Sequence, residues 1–223
     1  MPIRVDLRRL ESEVIELEKN PVQQEKILFY GDSIFTRWKY KWGFKPLESV
    51  IVDKNGNNIA LNHGIGSSTA EETLYYYTRL VRPYKPIALV YKVFGNDWWF
   101  GYSAIEIFEL TTRVIEYALC DFPGIKLYIC DVGICSRDEN ILDNWNYVRD
   151  EYNSLLYNYV VKHSTCKLIS AVSSPLFFND PGNVGKYEKV RKDIFIEDGV
   201  HFNKKGYELY GQFIKSVCND LLT

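Results

Sequence analysis

Residues 87–94, Ile87-Ala-Leu-Val-Tyr-Lys-Val-Phe94, form an almost unbroken apolar run that leads directly into Gly95-Asn96-Asp97. Such a run is typical of a β-strand that is covered on both faces, as the strands of parallel sheets are. Other short apolar segments, each followed by residues at helical spacing, lie on either side of it: 27–30, 58–62, 126–132 and 167–172. Parallel strands need crossover connections, so this alternation predicts an α/β fold with about five parallel strands and helices on both faces.

Helix-start signals mark the crossover connections. Ser103-Ala-Ile-Glu106 and Ser68-Thr-Ala-Glu71 both have the capping-box pattern, in which the Ser and Glu side chains bond to free backbone N–H groups of the first turn. The spacing of apolar residues predicts two further helices, over 145–159 and 207–221. Because no repeat or flexible linker interrupts the pattern, we expect one domain over residues 1–223.

Residues 1–24 are predicted to be an N-terminal helical extension. Their apolar residues are spaced 4-3-4-3 and Pro21 lies beyond them; they are Ile3, Leu7, Leu10, Val14 and Leu17. This seam is shorter than the three or four heptads that indicate a coiled coil. We expect the helix to pack on its own domain, and a homodimer contact through it is the alternative.

Composition excludes several classes of partner. Lys plus Arg number 27 against 29 for Asp plus Glu, which gives no basic footprint for nucleic acid or an anionic membrane. No apolar run approaches the roughly 18 residues of a membrane span, and the N-terminus has no apolar region of a secretory signal. The five cysteines show no CxxC pair, which favours buried free thiols and a cytoplasmic protein.

Four short polar motifs stand where an open parallel sheet binds its ligands. Three follow predicted strands and the fourth precedes the last predicted helix; they are Gly31-Asp32-Ser33, His63-Gly64-Ile65-Gly66-Ser67-Ser68, Gly95-Asn96-Asp97 and Asp198-Gly199-Val200-His201. Ligands of such sheets bind at the carboxyl ends of the strands, so the motifs are expected to meet at one edge. Each motif alone is ordinary turn or loop chemistry, and only the set is informative.

Ser33, His201 and Asp198 together fit a nucleophilic site. A serine hydroxyl needs an adjacent base at neutral pH, and histidine is the usual one. Asp198 precedes His201 by three residues, and a tight turn there would bring its carboxylate to the imidazole Nδ1–H and leave Nε2 for Ser33. Acyl transfer also needs hydrogen-bond donors for the oxyanion. The Asn96 amide, the backbone of residues 64–68 and the Ser33 N–H can supply them.

In these motifs the chain resembles the GDSL-type lipase/esterase superfamily, the SGNH hydrolases, from Ile27 to about Leu222. The residues that look like the family's sequence blocks are Phe29-Tyr-Gly-Asp-Ser33, Asn62-His-Gly-Ile-Gly-Ser67, Phe94-Gly-Asn-Asp97 and Asp198-Gly-Val-His-Phe-Asn203. The resemblance implies a three-layer α/β/α, flavodoxin-like fold. It also implies a catalytic triad of Ser33, His201 and Asp198, and an oxyanion hole of Ser33, Ser67 and Asn96.

Two positions depart from the family pattern. The family usually has glycine at the second oxyanion donor, where this chain has Ser67. A serine N–H can serve there if its φ is tolerable, and Gly66 is the alternative donor. Phe94 stands where the third block normally begins with glycine, so the family pattern does not predict the shape of that loop. Asp32 and Asp97 are expected to support the two loops through bonds to backbone N–H groups.

Tryptophans flank the candidate loops in this aromatic-rich chain. Trp38 and Trp42 follow the nucleophile, while Trp98 and Trp99 follow the oxyanion amide. They are candidates for the wall of a substrate pocket, and packing beneath the loops is the alternative for each. His63 is a weaker pocket candidate, for which a structural hydrogen bond is the favoured interpretation.

Together, the four motifs and the flanking tryptophans predict a serine esterase that acts on short-acyl esters. An acylated carbohydrate is one candidate substrate. The alternatives are an acyltransferase with the same triad and a non-catalytic binding module on the same fold. Nothing resembles a phosphate-binding loop, and Gly64-Ile-Gly66 alone is too weak to indicate a nucleotide, so no cofactor and no metal are expected. The aperiodic segment 173–186 could cover the pocket, although an ordinary surface connection is favoured.

Overall fold

Five parallel strands form the central sheet of the computed structural model, which describes residues 3–137 and 142–222. The strands are β1 (Ile27–Gly31), β2 (Ala60–Gly64), β3 (Ala88–Lys92), β4 (Lys126–Cys130) and β5 (Cys166–Ile169). Their order is β2-β1-β3-β4-β5, and every neighbouring pair is parallel. This is the flavodoxin-like order, so the predicted fold is confirmed.

All five strands differ from the predicted segments at one or both ends, by one to three residues, and two of the differences have a visible local cause. β2 starts at Ala60 instead of Asn58, because the Asn58 side chain accepts the Ala60 N–H at 2.8 Å and turns the backbone there. β5 stops at Ile169, and residues 171–173 form a 3₁₀ turn instead of extending the strand to Val172.

Helices connect the strands and cover both faces. The α-helices are α1 (Glu11–Glu18), α2 (Ser33–Thr36), α3 (Leu47–Val50), α4 (Ala70–Leu80), α5 (Gly95–Trp99), α6 (Ala104–Asp121), α7 (Leu142–Lys162) and α8 (Lys204–Val217). Turns of 3₁₀ helix span Tyr40–Trp42, Arg82–Tyr84, Ala171–Ser173, Pro175–Phe177, Pro181–Asn183, Tyr187–Lys189, Lys192–Ile194 and Asn219–Leu221.

The side chains of the sheet alternate between two apolar cores. Leu28 and Tyr30 of β1 face the core that α1, α4, α6 and α7 cover, whereas Ile27 and Phe29 face the core under α2, α3 and α8. Many of the tyrosines and phenylalanines are fully buried in these cores, which accounts for much of the aromatic content.

One predicted capping box is confirmed and the other is displaced. Ser103 and Glu106 cap α6 as predicted. At α4 the box is formed by Thr69 and Glu72 instead of Ser68 and Glu71. The Ser68 hydroxyl instead donates to the Gly31 carbonyl at 3.3 Å, which leaves the capping position to the next residue.

The N-terminal helix is shorter than its apolar spacing predicts. α1 begins at Glu11, and Ile3 is 66% exposed instead of belonging to an apolar seam. Leu10 and Val14 are buried in the core beside α4, so this face of α1 packs on its own chain. Residues 1 and 2 of the predicted extension, and Thr223, lie outside the described residues.

Cysteine placement agrees only in part with the sequence interpretation. All five cysteines are unpaired, and Cys130, Cys166 and Cys218 are buried, but Cys120 is exposed. Within 3–137 and 142–222, no helix is long and apolar enough to cross a bilayer.

Candidate active site

Ser33 stands at the carboxyl end of β1, where a close backbone approach sets its position. Gly31 has φ +148°, and a Cβ there would lie 1.9 Å from the Lys92 carbonyl oxygen, so a side chain would not fit against β3. Asp32 then caps α2, because its carboxylate accepts the Ile34 N–H at 2.9 Å. Ser33 is therefore the first residue of a one-turn helix at the sheet edge.

Ser33, His201 and Asp198 form a continuous chain of hydrogen bonds. The Ser33 hydroxyl lies 2.8 Å from His201 Nε2, and Asp198 Oδ2 lies 2.6 Å from His201 Nδ1. An ionised carboxylate can only accept, so the ring proton belongs on Nδ1 and Nε2 accepts from the serine. This is the tautomer that a general base for Ser33 requires.

The Asp198 carboxylate is held by its own turn. Its Oδ1 accepts the backbone N–H groups of Val200 and His201, both at 2.9 Å. Partial burial raises the pKa of Asp198, but these bonds and the His201 ring outweigh it and leave the pKa below its ordinary value. The carboxylate therefore stays ionised at neutral pH and fixes the ring of His201.

Asn96 lies on α5, just after β3, with its amide at the same edge of the sheet. One of its Nδ2 hydrogens is donated to the Ser68 carbonyl at 2.9 Å, and the amide has a second hydrogen to donate. Asn96 and Ser33 line the same cavity. The structure thus brings the predicted oxyanion amide and the predicted nucleophile to one cavity.

Asp97 joins the start of α5 to the first residue of α4. The side chain is fully buried and accepts the N–H of Ala70 at 2.7 Å and of Phe94 at 3.0 Å. Burial raises the pKa of Asp97 to about 7, and the backbone N–H bonds oppose that shift only in part. Asp97 therefore makes the backbone bonds expected of a supporting residue.

The oxyanion loop, residues 65–69, presents Ser67 in the left-handed region. Ser67 has φ +59°, which residues other than glycine, Asn and Asp seldom adopt. Within the described residues its N–H has no hydrogen-bond partner, whereas the Gly66 N–H donates to Glu13 Oε2 at 2.8 Å. Of the two predicted donors, Ser67 is the one whose N–H is free.

Phe94 replaces the expected glycine at a cost in backbone strain. It has φ +127°, yet its ring is buried against Trp145 and Tyr152, with centroids 5.1 Å and 5.2 Å away. Strain of this kind persists only where the surroundings impose it. The buried ring thus keeps the loop shape that a glycine would adopt freely.

A mostly apolar cavity of about 200 Å³ opens beside Ser33. Aromatic residues form much of its wall: Phe94, Trp98, Trp99 and Trp145. The sequence predicts Trp98 and Trp99 as pocket candidates, but it places Trp145 only in a helix. The spacing of that helix gives no sign that its start reaches the cavity. No residue of segment 173–186 lines this cavity among those that the structure describes.

Sequence reasoning also missed a buried ion pair among the residues that line the cavity. Lys92 Nζ lies 3.0 Å from Asp32 Oδ2, and the two side chains are only 8% and 6% exposed. Burial is the largest influence and lowers the pKa of Lys92, but the charge and hydrogen bond of Asp32, together with nearby Cys130 and Asp131, leave the pKa above its ordinary value. Lys92 stands within an apolar run of the sequence. Its pairing with Asp32 can be recognised only when β1 and β3 are placed side by side.

A second, more polar groove also reaches Ser33. It lies between Glu13 and Glu16 of α1 and the segment of Arg37, Lys39 and Lys41. Trp42 lines this groove and is 45% exposed. The Arg37 guanidinium carbon lies 4.9 Å from the centroid of its ring and Lys41 Nζ 5.2 Å away.

Two pocket candidates are corrected by the structure. Trp38 is buried in the core against Tyr207 and Tyr210 and lines neither the cavity nor the groove within the described residues. His63 is also buried, with Nδ1 2.7 Å from the Leu80 carbonyl, and burial lowers its pKa to about 4. Its lowered pKa keeps the ring neutral at pH 7, and the bond to Leu80 agrees with the structural role favoured for it.

Solved structures of esterases and lipases share this fold. A GDSL-like lipase from Bacteroides thetaiotaomicron is 17% identical, with a TM-score of 0.67 over 97% of this chain and 100% of that chain. A psychrotrophic esterase from Pseudoalteromonas sp. is 15% identical, with a TM-score of 0.65 over 89% and 99%. A variant of an acetyl-xylooligosaccharide esterase from Geobacillus Stearmophilus is 14% identical, with a TM-score of 0.64 over 87% and 94%.

These similarities show that the chain has the same fold as these esterases and lipases, which is the fold that the sequence resemblance implies. No protein-family model matches the chain, and no curated protein matches it in sequence.

Proposed function

We propose that this protein is a serine esterase in which Ser33 is the nucleophile, His201 the general base and Asp198 the residue that orients it. The unbroken Asp198–His201–Ser33 hydrogen-bond chain at the carboxyl edge of the sheet is the observation that carries the proposal. A purely structural role for these residues would require neither the proton on His201 Nδ1 nor a cavity beside Ser33.

The reaction follows from these contacts. Ser33 Oγ attacks the ester carbonyl carbon while His201 Nε2 takes the hydroxyl proton. The tetrahedral intermediate then breaks its bond to the alcohol oxygen, which receives that proton from His201. Water next gives a proton to His201 and attacks the acyl-enzyme, and the acid leaves as Ser33 regains its proton.

Three donors are proposed for the oxyanion: the N–H groups of Ser33 and Ser67 and the Asn96 amide. Neither backbone N–H has a partner within the described residues, and the Asn96 amide has a free hydrogen. One such donor is worth about 3–4 kcal/mol of transition-state stabilisation in other serine hydrolases.

The two openings at Ser33 suggest how an ester would be divided. We assign the acyl group to the aromatic cavity of about 200 Å³, which suits a short acyl chain. The alcohol would lie in the polar groove, where Trp42 offers a stacking face beside charged side chains. An acylated carbohydrate has this combination of a small acyl group and a hydroxylated alcohol, so we propose carbohydrate deacetylation as the finer function.

Two other functions share this fold and remain alternatives to the esterase. An acyltransferase would use the same triad but pass the acyl group to an alcohol or sugar. A binding module would need no triad. Product analysis with and without an added sugar acceptor separates the first alternative, because only a transferase forms a new ester in preference to the acid.

Fluorophosphonate labelling tests the nucleophile directly. Wild-type protein is expected to be labelled, Ser33→Ala to be unlabelled, and the exposed Ser173→Ala variant to behave as wild type. Labelling that persists in Ser33→Ala would refute the assignment, and an unlabelled wild type would favour the binding module. A panel of p-nitrophenyl esters then tests the acyl size, since a preference for chains of about eight carbons or more would contradict the short-acyl proposal.

Three broader expectations belong to the same proposal. We propose a single domain over residues 1–223 and a cytoplasmic location, which the five unpaired cysteines support. A homodimer through the N-terminal helix stays a secondary proposal. The burial of Leu10 and Val14 against the protein's own core argues for intramolecular packing of that face.

A further inference from the structure

The N-terminal extension touches the oxyanion loop through two side chains. Glu13 Oε2 of α1 accepts the Gly66 N–H at 2.8 Å, and Arg9 Nη2 donates to the Ser67 carbonyl at 2.5 Å. These bonds hold the peptide groups on both sides of the one that carries the Ser67 N–H. The donor proposed for the oxyanion thus lies between two anchored neighbours.

Both anchoring side chains are themselves fixed. Arg9 pairs at 2.8 Å with Glu72, whose side chain is fully buried, and its guanidinium carbon lies 4.9 Å from the centroid of the Phe100 ring. Glu13 precedes the buried Val14 on α1. The rest of the helix is tied to α4 by Arg79, which pairs with Glu11 at 2.7 Å and with Glu18 at 2.6 Å.

The backbone conformation of Ser67 explains why the oxyanion loop needs such support. Ser67 holds φ +59°, a conformation that glycine adopts without penalty and serine does not, so the free loop is biased towards other shapes. The Glu13 bond has a second effect, because it occupies the Gly66 N–H and leaves Ser67 as the unengaged donor of this pair.

We propose that Glu13 and Arg9 are positioning residues for the oxyanion hole: the N-terminal extension holds residues 65–69 in the shape that points the Ser67 N–H at the reacting oxygen. The inference rests on the proposed esterase function. It gives α1 and the residues before it a role in positioning the oxyanion loop, although neither Glu13 nor Arg9 contacts the reacting atoms.

The test compares variants of Glu13 with a control on the same helix. Glu13→Ala removes the acceptor, Glu13→Gln keeps an acceptor oxygen, and Glu18→Gln weakens the anchoring of α1 to Arg79 without touching the loop. The readouts are kcat and KM for a short p-nitrophenyl ester, the rate of fluorophosphonate labelling, and hydrogen exchange of the peptide covering residues 65–69.

Glu13→Ala is expected to lower kcat and the labelling rate about ten-fold, with KM changed much less, because a misplaced donor affects the transition state more than binding. Glu13→Gln is expected to recover most of that loss, and Glu18→Gln to keep the wild-type kcat. Hydrogen exchange over 65–69 is expected to rise in Glu13→Ala alone.

Several outcomes would overturn the inference. An unchanged kcat in Glu13→Ala would do so, and a raised kcat would mean that Glu13 blocks Gly66 as the true donor. Equal losses in Glu13→Ala and Glu18→Gln would reduce Glu13 to a stability role. If wild-type protein is not labelled at Ser33, the esterase proposal fails and this inference fails with it; labelled wild type with an unaffected Glu13→Ala refutes this inference alone.

Discussion

Phe94 and Trp145 pack edge to face, with ring centroids 5.1 Å apart, directly beneath the loop that carries Asn96. The contact joins the segment between β3 and α5 to the start of α7, and Phe94 has φ +127° there. A single aromatic pair therefore supports the loop and also forms part of the cavity wall.

Replacing Phe94 separates its backbone strain from its packing. Phe94→Ala and Phe94→Gly both lose the buried ring, a loss of about 3–5 kcal/mol, but only Ala keeps the unfavourable φ. Phe94→Gly is therefore expected to be more stable than Phe94→Ala by about 1–2 kcal/mol. Urea unfolding measures the difference, and an Ala variant at least as stable as the Gly variant would show that φ +127° is not strained.

The buried ion pair predicts a large cost for removing one partner. Lys92→Met leaves the Asp32 carboxylate buried without its counter-charge and is expected to destabilise the fold by about 3–5 kcal/mol. The double variant with Asp32→Asn is expected to recover part of this loss. Lys126→Met, which breaks an exposed pair with Asp220, serves as the control and should cost less than about 1 kcal/mol. Equal losses in the two single variants would contradict the prediction.

Asp131 predicts how stability changes with pH. Burial raises the pKa of Asp131 to about 7, so the folded protein holds a proton that the unfolded chain releases near pH 4. Because the folded state binds more protons in that window, this carboxyl lowers the free energy of unfolding as pH rises from about 4 to 7.

Asp131→Asn removes that contribution. The stability of the variant relative to wild type is expected to increase by about 2 kcal/mol between pH 5 and pH 7, and then to level off. Denaturant unfolding across pH 5–8 checks this, and parallel curves for the two proteins would rule it out.

The proposed placement of the acyl group in the aromatic cavity and of the alcohol in the polar groove predicts separate effects for two tryptophans. Trp145→Ala enlarges the aromatic cavity, so we expect the preferred p-nitrophenyl ester to shift towards longer acyl chains. Trp42→Ala lies on the polar groove and is expected to leave that acyl profile unchanged while raising KM for an acetylated oligosaccharide. A changed acyl profile in Trp42→Ala would reverse the proposed assignment of the two openings.

Much of the site could be predicted from the polar residues that follow the apolar strand segments in the sequence. Ser33 and Asn96 follow apolar strand segments directly, and parallel strands bring their carboxyl ends to one edge. Asp198 and His201 were predictable because a short turn lets neighbouring residues bond to each other.

Other parts of the site depend on tertiary packing and leave no local signal. Glu13 reaches Gly66 only because α1 packs on α4, and its exposed helix pattern is that of any surface residue. Thr69 replaces Ser68 as the cap because Gly31 lies close enough to accept the Ser68 hydroxyl. Periodicity predicts which face of a helix is apolar, but it does not predict which residue of that face reaches a distant loop.

The bond between Ser33 and His201 joins residues that are 168 positions apart in the chain. Ribosomes add about 5–20 residues each second, so His201 emerges roughly 10–30 s after Ser33 during synthesis. The strands that precede Ser33 and Asn96 can pair in that interval, before the proposed base has been synthesised. A nascent chain therefore carries an unactivated serine, and any ester chemistry would begin only when the C-terminal segment docks.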